Sequence, residues 1–217
     1  LKYSNLFNFN KTQDIDVIET GLSTALGFEY KKSNLLNDKT IGEEKLSFGI
    51  GQIINSEENE KIHSKTSLNQ RFSDVVGDSS FSISKNLKLN YNFSIDQNYN
   101  DFNYNEISSD FLTKNTKFNI GYLEEKNHIG NQEYLKTDLE VNLSDSGSIG
   151  FATKRNLLTN SAEFYNLSYN YINDCLKAGI LYRREFYTDR DIEPDNSIMF
   201  TISLIPFGDI NSPKFDR

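Results

Sequence analysis

Residues 165–208 read YNLSYNYINDCLKAGILYRREFYTDRDIEPDNSIMFTISLIPFG. Three alternating apolar/polar runs are separated here by a tight turn at Asn173-Asp174 and by a charged loop at 188–196. A membrane-spanning β-strand needs this pattern, with one face to lipid and the other to a wet lumen. Strict period two scatters apolar groups all round a helix, so a helical reading fails. The chain's one cysteine, Cys175, sits at the tight turn.

The alternation recurs outward from this stretch. It predicts about eleven strands, at 19–31, 45–54, 75–85, 86–96, 102–113, 116–124, 133–143, 148–157, 161–171, 176–187 and 197–207. The run 86–96 is cleanest: Leu87, Leu89, Tyr91, Phe93 and Ile95 alternate with Lys88, Asn90, Asn92, Ser94 and Asp96. In 19–31, Leu22, Leu26, Phe28 and Tyr30 oppose the small Gly21, Ser23, Ala25 and Gly27. A soluble sandwich would pack the large face on a second sheet. A membrane barrel would turn it to lipid. Runs of ten to thirteen residues are about twice the usual globular strand of ~5–6 and close to the ~9–11 tilted residues that cross a bilayer. Tyr30, Tyr122, Tyr171 and Tyr187 near run ends suit an interfacial girdle, though each also reads as an ordinary strand aromatic.

Connection lengths add a second test, because membrane barrels have short turns at one end and long loops at the other. Turns at 85–86, 114–115, 144–147 and 173–174 alternate with loops at 55–74, 97–101, 124–132, 156–160 and 188–196. The exception is 32–44, an inner turn by parity but long.

With 217 residues and no linker, the chain reads as one domain over 1–217. Hydrophobic residues make up 36% and mean hydropathy is −0.60. No run approaches the ~18 apolar residues of a transmembrane helix. A net charge of −8 argues against nucleic acid as a partner. One cysteine cannot close an internal disulfide. A chain opening on Leu1 reads as a mature piece or a fragment of something longer.

Catalytic chemistry is not visible. His63 and His128 fall in expected loops without a second ligand at metal spacing, so no metal site is expected. There is no nucleophile elbow, P-loop or dinucleotide fingerprint, hence no expected cofactor or enzyme activity. Glu57-Glu58, Glu124-Glu125 and Asp189/Asp191 lie in loops as solvated charge.

Several segments together resemble one family. LFNFNKTQDIDVIETGLSTALGFEY (6–30) is similar to a stretch in which an Asn-basic pair, here Asn10-Lys11 instead of Asn-Arg, precedes an aspartate and a Glu-x-Gly that opens a strand. FGIGQ (48–52) resembles its strand ending in Gly51-Gln52, and SDVVG (73–77) its segment with Ser73, Asp74 and Gly77. YNYINDC (169–175) and YRREFYTDRDIEP (182–194), with Asp174, Arg184, Asp189, Arg190 and Asp191, followed by a last strand ending Pro206-Phe207-Gly208, resemble its C-terminal end. The family is LptD, the lipopolysaccharide-assembly outer-membrane proteins, also called organic solvent tolerance proteins.

The resemblance implies an all-β, antiparallel transmembrane β-barrel in the outer membrane of a Gram-negative bacterium. This chain would supply about eleven strands, roughly the C-terminal half of a larger barrel that it cannot close alone. The implied function is non-enzymatic: transport of lipopolysaccharide and its insertion into the outer leaflet. Implied partners are lipopolysaccharide, the plug lipoprotein LptE, the bridge protein LptA through a domain outside this chain, and the barrel-assembly machinery. Cys175 would bridge to a cysteine outside this chain, in the oxidising periplasm. The last strand, with Ile198, Phe200, Ile202, Leu204 and Pro206, would line the lateral gate. Pro206 lacks a ladder donor, so the periplasmic end of that seam would pair weakly. A general porin-type channel is the alternative, and a secreted β-sandwich adhesin a third reading.

Overall fold

The computed structural model describes residues 1–8, 11, 20–35, 41–63, 66–126, 130–186, 194–204, 208–211 and 215–216. Among the described residues thirteen strands follow one another. They are β1 (Ser23–Leu35), β2 (Ile41–Asn55), β3 (Val75–Ser84), β4 (Leu87–Ile95), β5 (Phe102–Leu112), β6 (Thr116–Glu125), β7 (Gln132–Asn142), β8 (Gly147–Asn156), β9 (Ser161–Ile172), β10 (Leu176–Glu185), β11 (Asn196–Leu204), β12 (Gly208–Asn211) and β13 (Phe215–Asp216). In the sheet, β1 to β12 lie in chain order, and β13 pairs back on β11. The eleven expected strands are therefore β1 to β11. Among the described residues no helix is long and apolar enough to cross a membrane, which leaves strands free to do so.

One expected connection differs. β1 runs to Leu35 and β2 begins at Ile41, so only 36–40 lie between them, not 32–44. Lys32 and Glu44 look like loop residues in sequence, whereas Lys31 falls in the expected strand 19–31. They are ladder residues, with Lys32 opposite Leu46 and Ser33 opposite Glu44, and Lys31 pairs with Glu29 at 2.7 Å along its own strand. Long charged side chains at a strand end reach water while their backbone stays in the sheet.

The chain forms two compact units. The first comprises Leu1–Ser109 and Tyr122–Gln132. Its β1–β4 ladder has a large outer face: Leu26, Phe28 and Tyr30 on β1 stand beside Ile50 and Phe48 on β2, and Phe81 on β3 opposes Leu89 on β4. The other face is made largely of small and polar residues, with Ile53 and Val76 as an apolar patch. Across it lies the segment 1–8. Leu6 is fully buried among Ile53, Ile62, Leu68 and Val76, with Leu1, Tyr3 and Ala25 packed around. This close approach needs bare backbone. A methyl at Gly51 would run into Leu6, and one at Gly49 into the ring of Tyr3.

The second unit comprises Asp110–Gly121 and Glu133–Arg217. Its β7–β11 registers pair one to one through the middle of the sheet. The one shift, between Lys154 and Arg155 on β8, lies near the loop end.

Candidate functional site

In the second unit, two rows of side chains cross five strands on one face. Val141 opposes Ile149, Ile149 opposes Tyr169, Tyr169 opposes Ile180, and Ile180 opposes Phe200. The neighbouring row runs Leu139, Phe151, Leu167, Tyr182, Ile198. Ile202 and Leu204 continue it opposite Ala178 and Leu176. None of the largest is covered: Leu167 is 51% exposed, Ile180 46% and Phe200 43%. Burying one such side chain is worth about 1.5–3 kcal/mol. Even at half that value the two rows come to roughly 10 kcal/mol, as much as the ~5–15 kcal/mol net stability of a typical domain. A face of this kind requires an apolar solvent. The strands are long enough for the bilayer to be that solvent.

The opposite face is more polar. Asp138, Glu140, Asn166, Ser168, Asn170 and Lys117 border a groove of about 670 Å3, together with the apolar Phe118, Leu139, Phe151 and Leu181. Lys117 bridges to Glu140 at 3.1 Å, and Asn119 donates to Asp110 at 2.6 Å. Lys154 pairs with Glu163 at 2.8 Å. Hydroxyls, amides and carboxylates of this kind can bind polyhydroxylated or hydrated groups.

The first unit carries a folded outer loop that the alternating pattern does not show. Of the segment read from sequence as an outer loop, 55–74, Asn55 ends β2, and the described residues of 56–63 and 66–74 turn back along the end of β2 and are buried at Asn59, Ile62, Ser67, Leu68, Ser73 and Asp74. The expected motif residues meet here. Gln52 donates its side-chain amide to the Ser73 carbonyl at 2.8 Å. Ser73 accepts from the Ile53 N–H at 2.9 Å through its hydroxyl, and its own N–H donates to the Ile53 carbonyl at 3.0 Å. The Asp74 N–H donates to the Ser67 hydroxyl at 3.1 Å. Ser67 holds a left-handed backbone, φ 59°, to present that oxygen. Asp74 Oδ2 accepts from the Ser94 hydroxyl at 3.0 Å and from the Asn103 amide at 2.9 Å. One buried carboxylate thus ties the loop to β4 and β5. Charge-assisted hydrogen bonds are what make its burial tolerable. Ser67, Ser94 and Asn103 escaped the sequence reading, because polar residues in a loop or on a wet face look solvated. Gly77 is placed differently: its partner Phe93 lies over it on the outer face.

The C-terminal motif residues do not form a cluster with these. Cys175 is exposed and unpaired within the chain. Its turn is held by Asn173, whose side-chain oxygen accepts from the N–H groups of Cys175 at 3.0 Å and Leu176 at 2.7 Å. Asp174 sits in the same turn. Arg184 lies on the apolar face, opposite Tyr165 and Asn196. Ile198, Phe200, Ile202 and Leu204 share that face on β11. The far edge of β11 is engaged by β12 along Thr201–Leu204 and by β13 at Ser197 and Ile198. Asp189, Arg190, Asp191, Pro206 and His128 lie outside the described residues. Among the described residues no group of His, Cys, Asp and Glu could hold a metal ion.

A two-faced antiparallel sheet of membrane-spanning length defines an outer-membrane β-barrel protein. Residues 1–171 match the family model described as LptD, LPS transport system D. The chain belongs to that family, and its function is lipopolysaccharide transport and assembly in the outer membrane, a transport activity and not an enzymatic one. Comparison with curated proteins finds no match. Among solved structures, an engineered triple mutant of the Rhodopseudomonas blastica porin aligns at 10% identity and a TM-score of 0.41, covering 94% of each chain. A second mutant of that porin aligns at 10% identity and a TM-score of 0.42, again over 94% of each.

Proposed function

We propose that residues 1–217 are the C-terminal portion of a larger barrel through which lipopolysaccharide reaches the outer leaflet. The observation that carries this reading is the pairing of an apolar and a hydrated face on the same strands, in a chain of this family. Lipopolysaccharide has the same division. Its acyl chains suit the Leu167–Ile180–Phe200 side, and its sugars suit the groove by Asp138, Glu140 and Asn166. β11, with Ile198, Phe200, Ile202 and Leu204, is the gate-lining strand, and Pro206 beyond it has no N–H to donate to a ladder. β12 and β13 occupy its outer edge and must yield before it can part from or join another strand. The plug lipoprotein LptE fills the hydrated side. The bridge protein LptA delivers cargo through a domain outside this chain, and the barrel-assembly machinery inserts the strands. Cys175, exposed in a short turn on the periplasmic side, forms a disulfide to a cysteine outside this chain. The motif residues Gln52, Ser73, Asp74 and Gly77 are structural.

The test is a non-reducing against a reducing gel of the full-length protein from outer-membrane fractions, with Cys175→Ser alongside. A mobility shift lost in the variant is expected. An unchanged pattern would remove the bridge. Depleting the protein should lower lipopolysaccharide at the cell surface. The hydrated face also fits a porin-type channel, which would instead give ion conductance independent of any plug lipoprotein.

A further inference from the structure

The apolar face of β7–β11 ends differently at its two rims. At the turn end it closes on Tyr171, Leu176 and Leu204. At the loop end it closes on a polar row of Thr137, Thr153, Tyr165, Arg184 and Asn196. One residue pair further out, Arg155 stands opposite Leu135. Of the residues paired in register on this face, Arg155 and Arg184 are the two that carry charge, and both are positive. Glu133 follows Leu135 on β7, one step beyond Arg155.

The heights fit a membrane rim. Leu176 and Arg184 are eight residues apart on one strand, ~27 Å along it and ~20 Å along the membrane normal at the usual tilt. The lipid-facing band of such barrels is about 25 Å tall. Arg184 therefore sits near the outer limit of that band, from where its long side chain reaches headgroup depth. Its guanidinium lies 4.8 Å from the Phe186 ring centroid, and Phe186 packs edge-on to Tyr165 at 5.4 Å. Two aromatic rings thus hold the cation at the edge of the apolar rows. Arg155 is held by Asn160, which accepts from its Nη2 at 2.6 Å. The register shift at Lys154/Arg155 skips Glu163 on β9 and leaves Arg155 in regular register with Leu135 on β7. The nearby carboxylates Glu163 and Glu185 are taken by Lys154 and by Arg183. Two strand spacings and two residue rises put the Arg155 and Arg184 backbones ~12 Å apart. Two extended arginines can close that gap on one headgroup.

We propose that Arg184 and Arg155 form a lipid-facing site for the phosphate groups of an outer-leaflet lipid, whose acyl chains lie on the Leu167, Ile180 and Phe200 rows below. Guanidinium binds phosphate bidentately and is lightly hydrated, so it suits a site half in headgroups. The site rests on the orientation used in the proposed function, with loops outward, and holds whether or not that lipid is the cargo. A position one strand from β11 would place it where a lipid emerging beside that strand first meets a fixed cation.

The test uses the full-length protein in detergent, with a bisphosphorylated hexa-acyl disaccharide lipid as probe and its enzymatically dephosphorylated form as control, read by native mass spectrometry. Wild type should retain the phosphorylated lipid at least tenfold better than the control lipid. Arg155→Gln with Arg184→Gln should lose that preference, Arg184→Lys should keep part of it, and Lys177→Gln on the hydrated face should change nothing. Equal retention of the two lipids by wild type would overturn the site without recourse to any variant. So would an unchanged preference in a double variant that still shows a folded barrel's heat-dependent gel mobility. Surface delivery of lipopolysaccharide is scored separately in depleted cells: normal delivery there would sink the export reading and leave the phosphate site standing.

Discussion

The ring of Phe93 lies across the bare backbone of Gly77, its direct antiparallel partner on β3. Phe93 stacks on Tyr91 at 5.5 Å and meets Phe102 edge-on at 6.4 Å. A side chain at Gly77 would strike the ring on one side and the Gly49 carbonyl on the other. Gly77→Val should therefore destabilise the folded protein by about 1–3 kcal/mol, measured by urea unfolding in lipid vesicles. An unchanged midpoint would mean that the ring simply swings away.

Asp74 gathers Ser94 and Asn103 onto one oxygen. Asp74→Ala should cost about 1–3 kcal/mol, because two buried donors lose an acceptor they share. Loop 56–74 should then become open to limited proteolysis at Lys61, while strands elsewhere stay protected. Resistance equal to wild type would show that the loop is held by its apolar contacts alone.

The two faces of β9 and β10 make opposite predictions for the same substitution. Ile180→Arg on the apolar face should cost about 2–4 kcal/mol of folding into vesicles. Ser168→Arg on the hydrated face should fold nearly as well as wild type. If both were equally tolerated, the apolar face would not be meeting hydrocarbon.

Leu6 fills a socket with no exposed surface. Leu6→Ala should lower stability by about 2–5 kcal/mol through the cavity left behind. Phe7→Ala, at a side chain 59% exposed, should cost far less. Equal losses would place the segment's anchor somewhere other than Leu6.

The strands were legible because lipid on one side and water on the other impose period two directly on the residues. Leu87 to Ile95 shows this without any knowledge of partners. Strand ends were less so. Lys32 and Glu44 pair within the ladder yet read as turn, since charge at a rim and charge in a turn look alike in sequence. The Asp74 network was illegible for another reason. Its members are brought together from three separate parts of the chain, and hydroxyls and amides give no hint of which of them will be buried. Cys175 shows the converse case: its turn follows from Asn173 and parity, but its proposed chemistry depends on a residue this chain does not contain.

The socket of Leu6 is shared among several elements. Its floor comes from Gly27 on β1 and Gly51 on β2, and its walls from Ile53, Ile62, Leu68 and Val76, the last of them on β3. No single hairpin supplies it. Residues 1–8 seat where three strands and the loop before β3 meet, so a single side chain reports on the packing of all four.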